Sequence, residues 1–284
     1  MTAAAESLGR RPARPFPARA WGVLRDHSLT AFALLALAYL MLPIAVVILF
    51  SFNAPAGRFN YTWQGFSLDS WGNPFAFPGL QNAVEFSLVI AALSGLVATA
   101  LGTAIALALV RYTFRARSAT NLLIFLPMAT PEIVMGSSLL TLFLNYGFPL
   151  GFGTILVAHI MFNISYVVVT VRARLTGFDR HLEEAAMDLG ATPLVTFVRV
   201  TLPLIAPGIV AAALLAFALS VDDFVITYLV SGADLTFPLF VWGAARVQIP
   251  PQINVIGTMI FMTAILLMLA NVLWQWRKTP KGAQ

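Results

Sequence analysis

Residues 181–209 read HLEEAAMDLGATPLVTFVRVTLPLIAPGI. This is the only internal stretch that is both charged and patterned as a helix, and it lies between two long apolar segments. Leu182, Ala185, Ala186 and Leu189 recur at helical spacing, while Glu183, Glu184 and Asp188 point elsewhere. Gly190 breaks the pattern, and a second short apolar run, Leu194, Phe197 and Val198, leads into Leu202-Pro203. A helix, a break and a second helix between membrane segments make a rigid knob that a soluble partner can grip.

The rest of the chain fixes where that knob sits. Of 284 residues, 59% are hydrophobic and 10% charged, against roughly 25% charged in soluble domains. Apolar stretches fall at 29–51, 83–110, 119–145, 151–171, 203–230 and 253–275. Each is long enough to cross about 30 Å of hydrocarbon as a helix. Backbone groups in lipid must be bonded internally, so an all-α membrane protein of six helices is expected. With the N-terminus in the cytoplasm, all but Arg58 and Arg246 of the 17 lysines and arginines fall inside. The positive-inside rule therefore places both termini and the 180–202 loop in the cytoplasm, and the +5 charge needs no nucleic acid to explain it.

Residues 1–28, rich in Arg, Pro and Ala, are expected to form a poorly ordered cytoplasmic tail, and 276–284 a second one. Arg10-Arg11 looks like a twin-arginine signal, but the apolar run that follows is too long for one. Between 52 and 81 lies an external segment rich in aromatics, read first as interfacial anchoring and second as contact with an extracellular binding protein. Ala98, Gly102 and Ala106 form a small-residue stripe for close helix packing. Pro127 and Pro131 in the third segment share the spacing of Pro203 and Pro207 in the fifth, each within LPxxxPxI. These prolines loosen their helices and free carbonyls. There is no cysteine, and the three histidines show no ligand spacing; His159 is expected to be packed and hydrogen-bonded.

Four carboxylates lie at membrane depth: Glu85 near an external mouth, Glu132 about midway along its helix, and Asp222 and Asp223 in the outer third of theirs. No lysine or arginine shares a predicted span with them, so they must face a pore, a polar interface or a cation. Adjacent helical residues point about 100° apart, so Asp222 and Asp223 cannot both face one lumen. One is expected to bond a neighbouring helix instead. Counted along straight helices, Glu132 and the aspartates differ in depth by roughly 9 Å. Neither lysine lies in a P-loop, and no GxSxG or HExxH occurs, so catalysis is not expected of this chain.

Glu184-Ala185-Ala186, Gly190, Val200 and Leu202-Pro203 resemble the EAA loop of ABC importer permeases, with Val200 standing where that family usually has Ile. SLVIAALSGLVATALGTAIALALVRY, LPMATPEIVMGSSLL, LSVDDFVITYLVSG and FPLFVWGAARVQIPPQINVIGTMI resemble the C-type permease of bacterial spermidine/putrescine ABC importers, over roughly residues 45–275. The resemblance implies a type I importer fold across 29–275, in the bacterial inner membrane. It implies a sister permease chain, two copies of an ATPase that bind ATP and magnesium, and an extracytoplasmic binding protein; no cofactor is implied for this chain. It makes Glu184, Ala185, Ala186, Asp188 and Gly190 the ATPase-coupling residues. Permeases for other amines, opines, phosphonates or thiamine share much of this pattern. An ion-coupled secondary transporter would instead load protons or sodium on Glu132 and an aspartate, but six helices without clear inverted halves fit it poorly. A structural subunit without a pathway leaves the buried acids unexplained.

Overall fold

A computed structural model describes residues 16–278. Its helices, in order, are α1 (Phe16–Phe50), α2 (Asp69–Gly72), α3 (Leu80–Arg111), α4 (Arg117–Ala129), α5 (Glu132–Asn145), α6 (Phe152–Thr176), α7 (His181–Asp188), α8 (Pro193–Thr196), a π-helical turn (Phe197–Thr201), α9 (Leu202–Asp222), α10 (Val225–Val230), α11 (Phe237–Ala244) and α12 (Pro251–Lys278). No strand occurs among the described residues; two isolated bridges, Asn53 with Phe66 and Phe59 with Ile249, are the extended pairings. Among the described residues, five helices are long and apolar enough to cross a membrane, or six if the bent pair α4 and α5 counts as one span.

The core is a bundle of α3, α6 and α9. Ala98, Ala106 and Leu109 of α3 pack on Val167, Val168 and Val171 of α6 and on Ile205, Ala212 and Ala216 of α9, all essentially closed to solvent. The small-residue stripe makes this approach possible. A Cβ built on Gly102 would lie 2.6 Å from Val167 Cγ1 and 3.3 Å from the Ile164 carbonyl. Val167 is β-branched and buried, so it has little freedom to yield. Gly102→Ala is therefore expected to lower complex stability by about 1–3 kcal/mol through overpacking, read as a drop in unfolding temperature of the purified complex.

Two predicted helices differ from the straight rods expected of them. The third is broken at Thr130-Pro131, and its halves meet at 107°. Pro131 pushes the residue before it out of the helical region, and Thr130 sits at φ −82°, ψ 132°. The fifth ends at Asp222; Asp223 is extended at ψ 122°, and α10 follows as a separate short helix. The broken pieces pack together: a Cβ on Gly136 of α5 would lie 3.3 Å from Ile226 Cα of α10. Met135, Leu139 and Phe143 of α5, with Ile226 and Val230 of α10, share a second core with Ile155, Ala158 and Phe162 of α6.

At the N-terminal side, α1 starts at Phe16, so residues 16–28, expected to be poorly ordered, are helical and continuous with the first span. Residues 1–15 and 279–284 lie outside the described residues, and α12 continues to Lys278, past the expected boundary at 275. The segment between α1 and α3 is pinned rather than loose. Buried Asn53 donates to Asn60 Oδ1 at 2.7 Å and to the Thr62 carbonyl at 2.8 Å, and accepts from the Gln64 amide at 2.8 Å. Phe52 stacks on both Phe66 and Trp71, while Tyr61 and Trp63 remain exposed.

Candidate functional site

The residues singled out from the sequence lie in the loop between α6 and α9, at the breaks between α4 and α5 and between α9 and α10, and, for Glu85, near the start of α3.

In the loop, α7 has no buried residue. Leu182, Met187 and Leu189 are exposed, as are Leu194 and Val198 just beyond. An apolar surface on a short polar-flanked helix is what a partner covers. The helix closes with a Schellman motif: the Gly190 amide donates to the Met187 carbonyl at 2.9 Å and the Ala191 amide to the Ala186 carbonyl at 3.1 Å. That motif needs a left-handed residue, and Gly190 has φ +88°. At the other end, Asp179 accepts from the His181 amide at 3.0 Å and from its ring Nδ1 at 2.8 Å. The hydrogen bond from the His181 ring holds the Asp179 carboxyl below its ordinary range and raises the imidazole above its own. This clasp is complete where Asp179 is ionised and His181 protonated. It is lost as pH rises through the raised imidazole pKa or falls through the lowered carboxyl pKa.

Glu184, Ala185 and Asp188 point to solvent, with Ala186 partly covered. Glu183, read from sequence only as a charge on the outer face, faces inward. Its carboxylate accepts from both the Arg111 guanidinium, at the end of α3, and the Thr201 hydroxyl, in the π-helical turn. Arg180 adds a bond to the Val110 carbonyl at 2.9 Å. Helix α7 is thus tied to the end of α3 and to the turn that leads into α9. No sequence spacing reports this link, because Arg111 and Glu183 lie 72 positions apart. Glu183→Ala leaves a half-buried guanidinium without its carboxylate, at a cost of about 1–3 kcal/mol. Faster hydrogen exchange confined to residues 181–190 is the expected result.

Three of the four acids lie at the breaks and Glu85 lies on α3, and the four separate into two kinds. Asp223 is turned inward, its side chain 5% exposed. Its Oδ2 accepts from the Thr227 amide at 2.8 Å and the Thr227 hydroxyl at 2.6 Å, and lies 3.3 Å from His159 Nε2. His159, buried as expected, bridges onward: Nε2 lies 2.9 Å from Thr227 Oγ1 and Nδ1 2.6 Å from Ser220 Oγ, which Ser94 reaches at 3.0 Å. A proton on Nε2 and a lone pair on Nδ1 satisfy this chain of hydroxyls from end to end. The network joins α3, α6, α9 and α10 where α9 stops. Asp223 is therefore the aspartate that bonds neighbouring helices, as expected of one of the pair; its partners are Thr227 and a histidine, and it is closed off where a place on the substrate path was expected.

Asp222, Glu132 and Glu85 are exposed. Glu85 accepts from Gln81 at 2.7 Å. Among the described residues, neither Glu132 nor Asp222 has a side-chain hydrogen bond or ion pair. Glu132 is not midway along a helix; it is the first residue of α5, directly after Pro131, where unpaired amides favour a negative charge. The straight-helix depth difference of Glu132 and the aspartates has no meaning across a 107° break. What replaces it is one free carboxylate at each break: Glu132 opens α5, and Asp222 closes α9 just before α10, the segment that packs on α5.

Residues 98–276 match the family described as binding-protein-dependent transport system inner membrane component. The spermidine/putrescine transport system permease protein PotC of Escherichia coli (strain K12) is 37% identical over 243 residues, 85% of this chain and 91% of that one. The putrescine transport system permease protein PotI of the same strain is 38% identical over 246 residues, 84% and 87% of the two chains. Among solved structures, a chain of a bacterial ABC transporter involved in the import of the acidic polysaccharide alginate superimposes with a TM-score of 0.67. It is 16% identical and covers 92% of this chain and 99% of its own. A chain of the MetNI methionine ABC transporter gives 0.57, at 18% identity, covering 70% and 96%. The fold is that of type I ABC importer permeases. This chain belongs to the binding-protein-dependent transport system inner membrane component family.

Proposed function

We propose that this chain is half of the translocation path of an ATP-driven importer for polyamines such as spermidine and putrescine. The observation that carries the reading is the pair of free carboxylates, Glu132 and Asp222, at two helix breaks within otherwise apolar spans. An unpaired carboxylate in such a place is costly unless a cation visits it. Similarity to PotC and PotI over most of the chain supplies the substrate class. Glu85 would sit at the outer mouth, and Asp223 would hold the shape of the break.

The chain acts with a sister permease, two ATPase subunits that bind ATP and magnesium, and an extracytoplasmic binding protein. Both termini and α7 lie in the cytoplasm on this reading, in line with the distribution of lysine and arginine. The ATPase groove takes α7 through Glu184, Ala185, Ala186 and Asp188, with Gly190 setting the turn. The link from Glu183 to Arg111 and Thr201 carries its displacement into α3 and α9. The test is ATPase activity of the reconstituted complex across a cation panel. Stimulation by binding protein loaded with spermidine or putrescine, and none by thiamine or a phosphonate, is expected. Stimulation by an anionic solute alone would overturn the substrate assignment.

A further inference from the structure

Just past Asp222 the chain builds an aromatic surface that the helix packing does not use. Phe224 stacks on Tyr228, with ring centroids 5.6 Å apart, and meets Trp242 of α11 at 5.4 Å. Tyr228 is 58% and Trp242 47% exposed. Arg246 lies with its guanidinium carbon 4.8 Å from the centre of the Trp242 ring. Among the described residues, Arg246 makes no ion pair, and neither does Asp222, two positions before Phe224.

One charge without an ion-pair partner thus lies on the aromatic face, and another, of opposite sign, ends α9 two positions before Phe224. Lipid anchoring explains exposed Trp, Tyr and Arg at an interface, but not an exposed carboxylate at the end of α9. An indole face attracts cations, and here it already holds one. From this geometry we infer that Trp242, Phe224 and Tyr228, with Asp222, form a receiving site for an alkylammonium group, and that Arg246 is a tethered cation the substrate displaces. The ammonium takes the guanidinium's place over Trp242, Asp222 supplies the counter-charge, and the methylene chain lies along Phe224 and Tyr228. This inference rests on the polyamine reading and adds to it an entry site and an internal competitor. Displacement also frees Arg246, so an empty site keeps its aromatic face covered.

The test is spermidine uptake by the reconstituted importer, measured against the concentration of loaded binding protein. Trp242→Leu is expected to reduce uptake about fivefold to tenfold at limiting substrate, and Trp242→Phe about twofold, because the phenyl face still binds cations. Arg246→Gln removes the competitor at an exposed position, so half-maximal uptake should require about threefold less loaded binding protein. Aromatic anchoring to lipid would leave that midpoint unmoved. If Trp242→Leu assembles and transports normally, or if Arg246→Gln raises the midpoint or leaves it unchanged, the inference is wrong while the polyamine reading stands. If the wild-type importer takes up no polyamine, both fall together.

Discussion

Gly190→Asp is expected to reduce substrate uptake at least about tenfold in a complex whose permease chains still insert normally. The reason lies outside the chain rather than within it. A Cβ built at Gly190 meets nothing within 4 Å, so no internal clash follows. The backbone there is left-handed at φ +88°, which costs a residue with a side chain about 1–2 kcal/mol. Asp tolerates that region better than most residues, so strain alone would produce a mild phenotype. The larger effect comes from placing a carboxylate beside exposed Leu189, on the surface an ATPase groove would cover. Gly190→Ala separates the two contributions, since it carries the strain without the charge. An intermediate loss for Ala and a severe one for Asp, both with normal membrane insertion, is the expected pattern. Full substrate-stimulated ATPase activity in Gly190→Asp would remove α7 from the docking site.

The second large effect distinguishes two neighbouring aspartates. Asp222→Asn is expected to lower polyamine uptake about tenfold without changing the unfolding temperature of the complex, because its side chain bonds nothing among the described residues. Asp223→Asn is expected to do the reverse in order of cause. Its amide can still accept from Thr227, but the charge facing His159 is gone and an NH₂ group enters a network already supplied with donors. Stability should fall by about 1–3 kcal/mol, with uptake lost through assembly. Glu132→Gln belongs with Asp222: it keeps the start of α5 and removes the charge, so uptake should fall sharply with assembly intact. Normal uptake in both Glu132→Gln and Asp222→Asn would leave the carboxylates with a structural role only, at helix ends.

The contrast between these residues shows where sequence reading reaches. Spans, packing stripe and the short helix of the 181–202 loop were legible because each is a local pattern: apolar length, small residues four apart, a helix followed by Gly. The free acids were legible as charges without lysine or arginine in the same span. Which of Asp222 and Asp223 turns inward was not, because the answer depends on His159 and Thr227, brought there by α6 and α10. The breaks were only half legible. Pro131 marks one plainly, yet a proline inside an apolar run can kink a helix or end it, and the packing of α5 on α10 decides for ending it here. No proline marks the break after Asp222, where Asp223 caps α10 instead. The tie between Glu183, Arg111 and Thr201 was invisible for the same reason as the aspartate choice: its members come from distant positions. The extension of α1 back to Phe16 reflects a helix that continues past its apolar part, which begins near Leu29.

The central claim is that this chain conducts polyamines under the drive of ATP through α7. The most direct measurement is accumulation of labelled spermidine in proteoliposomes holding this chain, its sister permease and the ATPase, with the loaded binding protein outside and ATP inside. Accumulation that requires ATP and the binding protein, persists when proton and sodium gradients are collapsed, and is lost in Gly190→Asp is the expected result. Accumulation that follows an ion gradient and proceeds without ATP would contradict the account.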